Sequence, residues 1–260
     1  MRSARLLGCF ITNSVQQDMA YRTGFIVNMV STLVALGANF LVLQALLSRG
    51  GDIAGWDQHA VTALLGVFTL CDATVGLVFR PSLRKIAEYI ELGSMDYMLL
   101  KPVNLQFTMS LRAWSVWQLP NFCIGAALIG IGMAGAGTLS SERIAMAILA
   151  LAAGITILYT LWAMVTVSAF WFVRISNAQM ILYALMSAAR YPATIYPAGL
   201  RLFFTFALPI VFITNIPAAT AVAKANWENV ALGWLIAALL FALSMLIWRH
   251  AVRHYTSASS

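Results

Sequence analysis

Few side chains in this chain are of a type and spacing to do chemistry, and most of them fall in one stretch. Between Arg80 and Asn104, in RPSLRKIAEYIELGSMDYMLLKPVN, seven charges come together: Arg80, Arg84, Lys85, Glu88, Glu91, Asp96 and Lys101. Leu83, Ile86, Ile90 and Leu92 recur among them at roughly helical spacing, which predicts a short amphipathic helix stopped by Gly93. Such a helix could dock in a groove on a soluble partner. A solvated loop with one helical turn is the plainer reading. Asp72 stands alone inside an apolar run, where a charge costs ~2.5–3.5 kcal/mol on insertion scales. It needs a cavity or a partner group. It is either a polar point on a substrate path or half of a structural pair, with Arg112 or a helix-end backbone as the other half. His250 and His254 lie one turn apart and could hold a metal, but Arg249 and Arg253 beside them favour a tail against lipid headgroups. Gly130 to Gly135 matches G-x-G-x-x-G, yet a dinucleotide site needs a strand before it, and here an apolar run precedes. Small residues for close helix contact are the better reading.

The elements that must position these groups are membrane spans. Of 260 residues, 61% are hydrophobic and 10% charged, against about 25% charged in soluble domains. Mean hydropathy is +0.83. No polar stretch is long enough to build a core of its own, so the chain reads as one polytopic membrane domain. The net charge of +7 comes from cations scattered between apolar runs, which suits the positive-inside rule and excludes a nucleic-acid partner. Cys9, Cys71 and Cys123 have no metal-ligand spacing, and no disulfide is expected. Residues 1–20 are too short in apolar run for a signal peptide and read as an interfacial amphipathic helix.

Seven apolar segments follow in order: Gly24 to Leu47, Gln58 to Phe79, Ala113 to Met133, Ile144 to Val173, Ile175 to Ala189, Leu202 to Val222 and Asn229 to Trp248. Arg2, Arg5 and Arg22 at one end and Arg249 and Arg253 at the other place both termini in the cytoplasm, which requires an even number of crossings. One segment therefore does not cross. Hydropathy and charge point to Ile175–Ala189, since Arg190 and Arg201 would then lie inside. The prolines point to Leu202–Val222, because Pro209 and Pro217 break helix hydrogen bonding and would let that segment enter and leave on one face.

At this point the sequence resembles a known family, the roughly 260-residue bacterial branch of six-span ABC-2 type exporter permeases. The resemblance is carried by Ala20-Tyr21-Arg22 and by Glu91 to Pro102, which is similar to a G-x-L-D-x-L-L-x-R-P pattern with Met95 and Lys101 substituted. Phe170 to Arg174 also carries it, as does the run from Ala189-Arg190-Tyr191-Pro192 through Tyr196-Pro197, Arg201 and Pro209 to Pro217-Ala218. It implies an all-α fold with six crossings in a bacterial plasma membrane and both termini inside. It further implies a cytoplasmic coupling helix within residues 80–104 and a re-entrant hairpin at 199–224, between spans 5 and 6. Ile175–Ala189 is then a short fifth span.

The resemblance also implies a division of labour. The chain contains no Gly-Lys pair and so no P-loop, and no cofactor is expected in it; ATP and Mg belong to a partner ABC ATPase dimer. Arg84, Lys85, Ile86, Glu88, Ile90, Glu91 and Asp96 form the expected ATPase contact, with Ile86 and Ile90 filling the partner's groove. Arg190, Tyr191, Pro192, Pro197, Arg201, Pro209 and Pro217 form the expected outer gate and re-entrant pair, although snorkelling to headgroups would also explain the two arginines. A second permease, identical or paralogous, completes the path for a hydrophobic or amphipathic cargo, with membrane lipid around it. A non-transporting scaffold or sensor is the alternative, distinguished by lack of an ATPase partner. A membrane-embedded enzyme needs His, Asp, Glu or Cys clustered at one depth, and only Asp72 and the terminal histidines are candidates.

Overall fold

The computed structural model describes residues 12–14, 16, 22–47, 52, 54–91, 106, 110–171 and 175–254. Every regular element among them is helical: α1 (Arg22–Leu47), α2 (Gln58–Thr74), α3 (Arg80–Glu91), α4 (Leu119–Gly135), α5 (Ser141–Val167), α6 (Ile175–Ser187), α7 (Ala198–Leu202), α8 (Ile216–Ala221) and α9 (Trp227–Arg253). Four stretches are long and apolar enough to cross a membrane: Gln58–Leu83, Val116–Gly135, Ser141–Val167 and Trp227–Arg253. A fifth is Ala198–Ala207 with Val211–Ala221, bent by 78°. Most of the expected interfacial helix at 1–20 lies outside the described residues, as do residues 92–104 of the expected coupling loop.

Gln58–Leu83 is the centre of the bundle. It is 89% buried inside the chain, against 22% for Val116–Gly135 and for Trp227–Arg253. Close approach to α4 is possible because both helices lack side chains where they touch. A Cβ on Gly66 would lie 2.6 Å from the Ile129 nitrogen, one on Gly125 2.7 Å from the Leu70 nitrogen, and one on Gly132 2.8 Å from the Ala63 nitrogen. Backbone meets backbone there, as in small-residue membrane helix pairs. Of the G-x-G-x-x-G match, Gly132 does this work, Gly135 makes room for the His59 ring, and Gly130 faces open space.

Between α2 and α3 the helix does not stop. A π turn over Val75–Phe79 joins them, and Arg80 N–H donates to the Val75 carbonyl. Pro81 has no N–H to offer the Leu77 carbonyl one turn back. Ser115 N–H takes it instead, at 2.8 Å. Next to it, buried Ser82 donates through Oγ to the Ala113 carbonyl at 2.8 Å and accepts from Ala113 N–H at 3.0 Å. These bonds hold Ala113–Ser115 extended. The third apolar segment therefore becomes helical only at Val116–Gln118 and α4, later than its hydropathy predicts, with Pro120 suited to the first turn.

The bent pair is broken at Leu208–Pro209. Its two flanks meet one loop: Thr194 Oγ1 donates to the Ala54 carbonyl at 3.1 Å, and Lys224 Nζ donates to the Gly55 carbonyl at 2.7 Å. A straight helix of that length would separate its ends by about 36 Å, more than the roughly 30 Å of a hydrocarbon core. Both ends lie instead at one end of the bundle, where the α4–α5 turn joins them through Thr138 Oγ1 to the Ala221 carbonyl at 2.7 Å and Arg143 to the Ala225 carbonyl at 3.2 Å. The inner limb comes close to α5 because Gly154 leaves room for the Ile213 carbonyl; a Cβ would lie 2.7 Å from it.

The Ser82 clasp yields a stability prediction. Ser82→Ala removes one side chain and strands a buried donor and a buried acceptor on Ala113, at a cost of about 1–3 kcal/mol. The thermal midpoint of the detergent-purified protein should fall by several degrees; an unchanged midpoint would show that water replaces the hydroxyl there.

Candidate functional site

A polar cluster sits between α2 and α6, with the side chains of Arg80 and Tyr183 exposed at its edge. Asp72 on α2 receives a hydrogen bond from the Tyr183 hydroxyl and feels the charges of Arg80 and Arg190. Helical side chains lean toward the N-terminus, so Arg80 reaches back along α2. Its guanidinium lies 5.1 Å from the centre of the Tyr183 ring. From the opposite end Arg190 lies 4.8 Å from the centre of the Phe68 ring. Polar groups thus form a column spanning α2 and the end of α6. A cavity of about 30 Å³ opens beside it, lined by Asp72, Tyr183, Arg190, Trp162, Cys71 and Thr214 among others. Arg112, one of the two partners considered for a structural pair with Asp72, is elsewhere: it lies over the Tyr89 ring at 5.1 Å. Sequence spacing could not reveal Tyr183 as the bridging residue, because an exposed tyrosine in a weakly apolar run looks like interface belt.

A second cleft of about 400 Å³ opens where the π turn, α5 and α9 meet, lined by Phe79, Leu111, Thr156, Tyr159, Phe241 and others. Its polar wall is uncharged. Ser110 and the Tyr159 hydroxyl share a hydrogen bond at 2.7 Å, and Gln106 lies 3.4 Å from the same hydroxyl.

The proline-rich region is bound into one polar knot. Thr214 Oγ1 donates to the Ala189 carbonyl at 2.8 Å, and Asn215 Oδ1 accepts from Ala193 N–H at 2.7 Å. The Tyr196 hydroxyl donates to the Ala188 carbonyl at 2.9 Å, and Arg201 donates to the Tyr196 carbonyl at 3.4 Å. Pro192, Pro209 and Pro217 are buried and Pro197 is exposed, with Tyr191 half-buried. Thr214 and Asn215 are functional candidates that sequence reasoning passed over; a Thr-Asn pair within an apolar run was the available signal. After α8, Ala223 adopts left-handed backbone (φ 60°), a position that favours glycine, and the turn it makes delivers Lys224 to Asp57 at 2.7 Å.

Of the charged stretch, α3 is the helix that its periodicity predicts. Leu83 and Ile86 are buried in the chain's own core, 1% and 0% exposed. Ile86 is therefore an internal anchor rather than a side chain offered to a partner's groove, a correction that periodicity could not supply because it does not say which surface an apolar stripe meets. Lys85 is half-buried. The side chains of Arg84, Glu88, Ile90 and Glu91, and all of Asp96, lie outside the described residues. At the far end of α9, the Trp171 and His250 rings stack at 6.1 Å, and His250 and His254 approach to 4.2 Å. No group of three metal-ligating side chains occurs among the described residues. Cys71 and Cys123 are both free thiols.

A family model described as ABC-2 family transporter protein matches residues 33–259. The chain belongs to that family. It is a membrane-embedded permease component, the transporting rather than the catalytic part of its system, and permeases of this kind work with an ABC ATPase. A search of curated proteins finds no significant match. The permease's helical content and its apolar stretches agree with the all-α polytopic fold expected from sequence.

The Asp57–Lys224 pair gives this permease a pH signature. Partial burial pushes the Asp57 carboxyl up, but the Lys224 ammonium and nearby backbone N–H groups outweigh it and hold the carboxyl below its ordinary value of 3.8. The folded state then binds fewer protons than the unfolded one near that value. The pair's contribution is complete above the ordinary value and is lost as pH falls through the lowered one. Thermal midpoints measured through that acid window should fall more steeply for the natural permease than for Lys224→Met. Identical slopes would mean that the pair does not stabilise the fold.

Proposed function

We propose that the chain is half of a dimeric, ATP-driven export path for hydrophobic or amphipathic molecules in a bacterial plasma membrane. A second permease, identical or paralogous, supplies the other half, and two ABC ATPase subunits bind ATP and Mg. The observation that carries this reading is the unbroken helix from Gln58 to Glu91. It begins at the loop that meets both flanks of the bent pair, passes the Asp72 cluster and continues as amphipathic α3. A pull on α3 would reach the far end of the molecule without crossing a flexible joint. An ATPase can drive the permease only through contacts that differ between its two states. The charges Arg84, Lys85, Glu88, Glu91 and Asp96 would orient that contact, while Leu83 and Ile86 fasten α3 to the core so that motion is transmitted rather than absorbed.

In this reading six segments cross, α6 among them, and both termini are cytoplasmic. The bent pair is the re-entrant hairpin, held at the outer face by Arg190, Tyr191, Pro192, Pro197, Arg201, Pro209 and Pro217. One observation supports the dimer: α1 exposes a long apolar face, including Val30 at 54%, Val34 at 66% and Leu41 at 69%.

Two experiments test these readings. Cysteines at Thr194 and Asn226, both exposed, should each react with an impermeant thiol reagent added outside the cell. Protection of one and labelling of the other would mean that the bent pair crosses. For coupling, the reversal pair Arg84→Glu/Glu88→Lys should abolish ATPase co-purification and ATP-driven transport in vesicles at unchanged membrane abundance. Ile86→Ala should instead lower stability by about 2–5 kcal/mol. Intact ATPase binding in the reversal variant would remove α3 from the coupling role, and absence of any ATPase partner would favour a scaffold.

A further inference from the structure

Three elements build the cleft of about 400 Å³ beside the π turn. Ile155, Thr156 and Tyr159 share one face of α5, and Phe241 and Met245 lie one turn apart on α9. Phe79, the last residue of the π turn, completes the wall. The Tyr159 ring is the middle one of three, its centroid 5.4 Å from that of Phe79 and 6.3 Å from that of Phe241. Most of the lining is therefore apolar, and much of it is aromatic.

A short polar strip interrupts that lining. Ser110, 4% exposed, shares a hydrogen bond of 2.7 Å with the Tyr159 hydroxyl. The Gln106 amide lies 3.4 Å from the same hydroxyl and 3.5 Å from the Ser244 Oγ. Both contacts are longer than the roughly 2.7–3.2 Å of a well-made bond, so this amide can turn to a ligand at little cost. No charged side chain is among the described residues that line the cleft. A charged head entering it would leave water and meet no counter-ion. The volume is that of a small-molecule site, which usually spans about 300–1,000 Å³ with a few polar groups in an apolar wall.

We infer that this cleft binds the cargo, and that the cargo is an uncharged, ring-bearing molecule with an N–H or hydroxyl group. Its rings lie against Phe79, Tyr159 and Phe241, and its polar group meets the Tyr159 hydroxyl and the Gln106 amide. The inference rests on the export reading and names its substrate class. Aromatic rings gain edge-to-face and offset contacts with such a wall beyond the area they bury. A cation would also be drawn to the rings, but with no carboxylate beside it that attraction falls short of the cost of leaving water. Phe79 belongs to the unbroken helix from Gln58 to Glu91, so an occupant touches the same element that continues as α3.

The test uses the purified permease alone in uncharged detergent, with radiolabelled N-phenyl-1-naphthylamine, uncharged at neutral pH, as probe. Three competitors keep aromatic rings and change the polar group. 1-Phenylnaphthalene lacks the N–H, 8-anilinonaphthalene-1-sulfonate adds an anion, and 1-naphthylmethyl-trimethylammonium carries a cation. The probe should bind saturably. 1-Phenylnaphthalene should compete about 5-fold more weakly than unlabelled probe, and the two ions should not compete. Tyr159→Phe, which keeps the ring, should weaken binding about 5-fold, and Gln106→Leu about 3-fold. Thr156→Phe, which fills the cleft, should abolish it. Cys123→Ser, exposed on α4, should leave it unchanged. If Thr156→Phe does not reach the membrane, Tyr159→Phe and Gln106→Leu decide. The inference is overturned if saturable binding is absent, if either ion displaces the probe, if binding survives Thr156→Phe, or if Tyr159→Phe is silent. Because no ATPase is present, failed probe binding leaves ATP-driven transport standing, and failed transport in vesicles leaves the binding result standing.

Discussion

Unpaired backbone is the constraint on which this fold depends. Within a hydrocarbon layer no water is at hand to satisfy a carbonyl or an N–H, so every break in a helix must be repaired by another part of the chain. Among the described residues several such breaks have a named repair. Ser115 N–H covers the carbonyl freed by Pro81. Thr214, Tyr196 and Asn215 cover the carbonyls and the N–H left open around Ala188–Ala193. Thr138, Arg143 and Lys224 cover those where the bent pair and the first loop come together. The tertiary structure is largely the set of these repairs.

The repairs also explain the placement of polar residues in a chain with so few. Of the described charged groups, Arg143, Lys224 and Asp57 gather at one end of the bundle and make the contacts that tie loops together. Asp72 and Arg190 are the exceptions, half-buried charges on the inner elements; Asp72 accepts from Tyr183 and has the exposed Arg80 nearby. Groups that are expensive to bury and that do not hold a loop are the ones most open to a transport role.

Much of this was legible in the sequence. Hydropathy marked the four stretches long and apolar enough to cross, with ends off by up to six residues, and the 3.6-residue period marked α3, because both signals are local. The small residue at Gly132 was read for what it does, since close approach is a property of the residue itself. Asp72 was recognised as needing a partner, but Arg112 was one of the two considered where Arg80, Tyr183 and Arg190 belong. That choice depends on which helices are neighbours, and neighbourhood is not a local property. The same gap explains Ile86: an apolar stripe announces burial but not against what. Charge and hydropathy pointed to a crossing for this segment, and Pro209 and Pro217 to a break in it; the break is where the prolines put it, at Leu208–Pro209 between limbs bent by 78°, since a missing N–H is a hard local constraint and hydropathy is an average.

The glycine contact between α2 and α4 has a mechanical consequence. Backbone against backbone leaves no side chains between the two helices to deform, so that joint is stiff. The seam between α2 and α6 is the reverse: it is bridged by long side chains, a tyrosine and two arginines, which can swing through several ångströms before their interactions are lost. A load applied to this protomer will therefore not spread evenly. The α2–α4 pair will travel as one beam, and strain will concentrate in the compliant seam beside it.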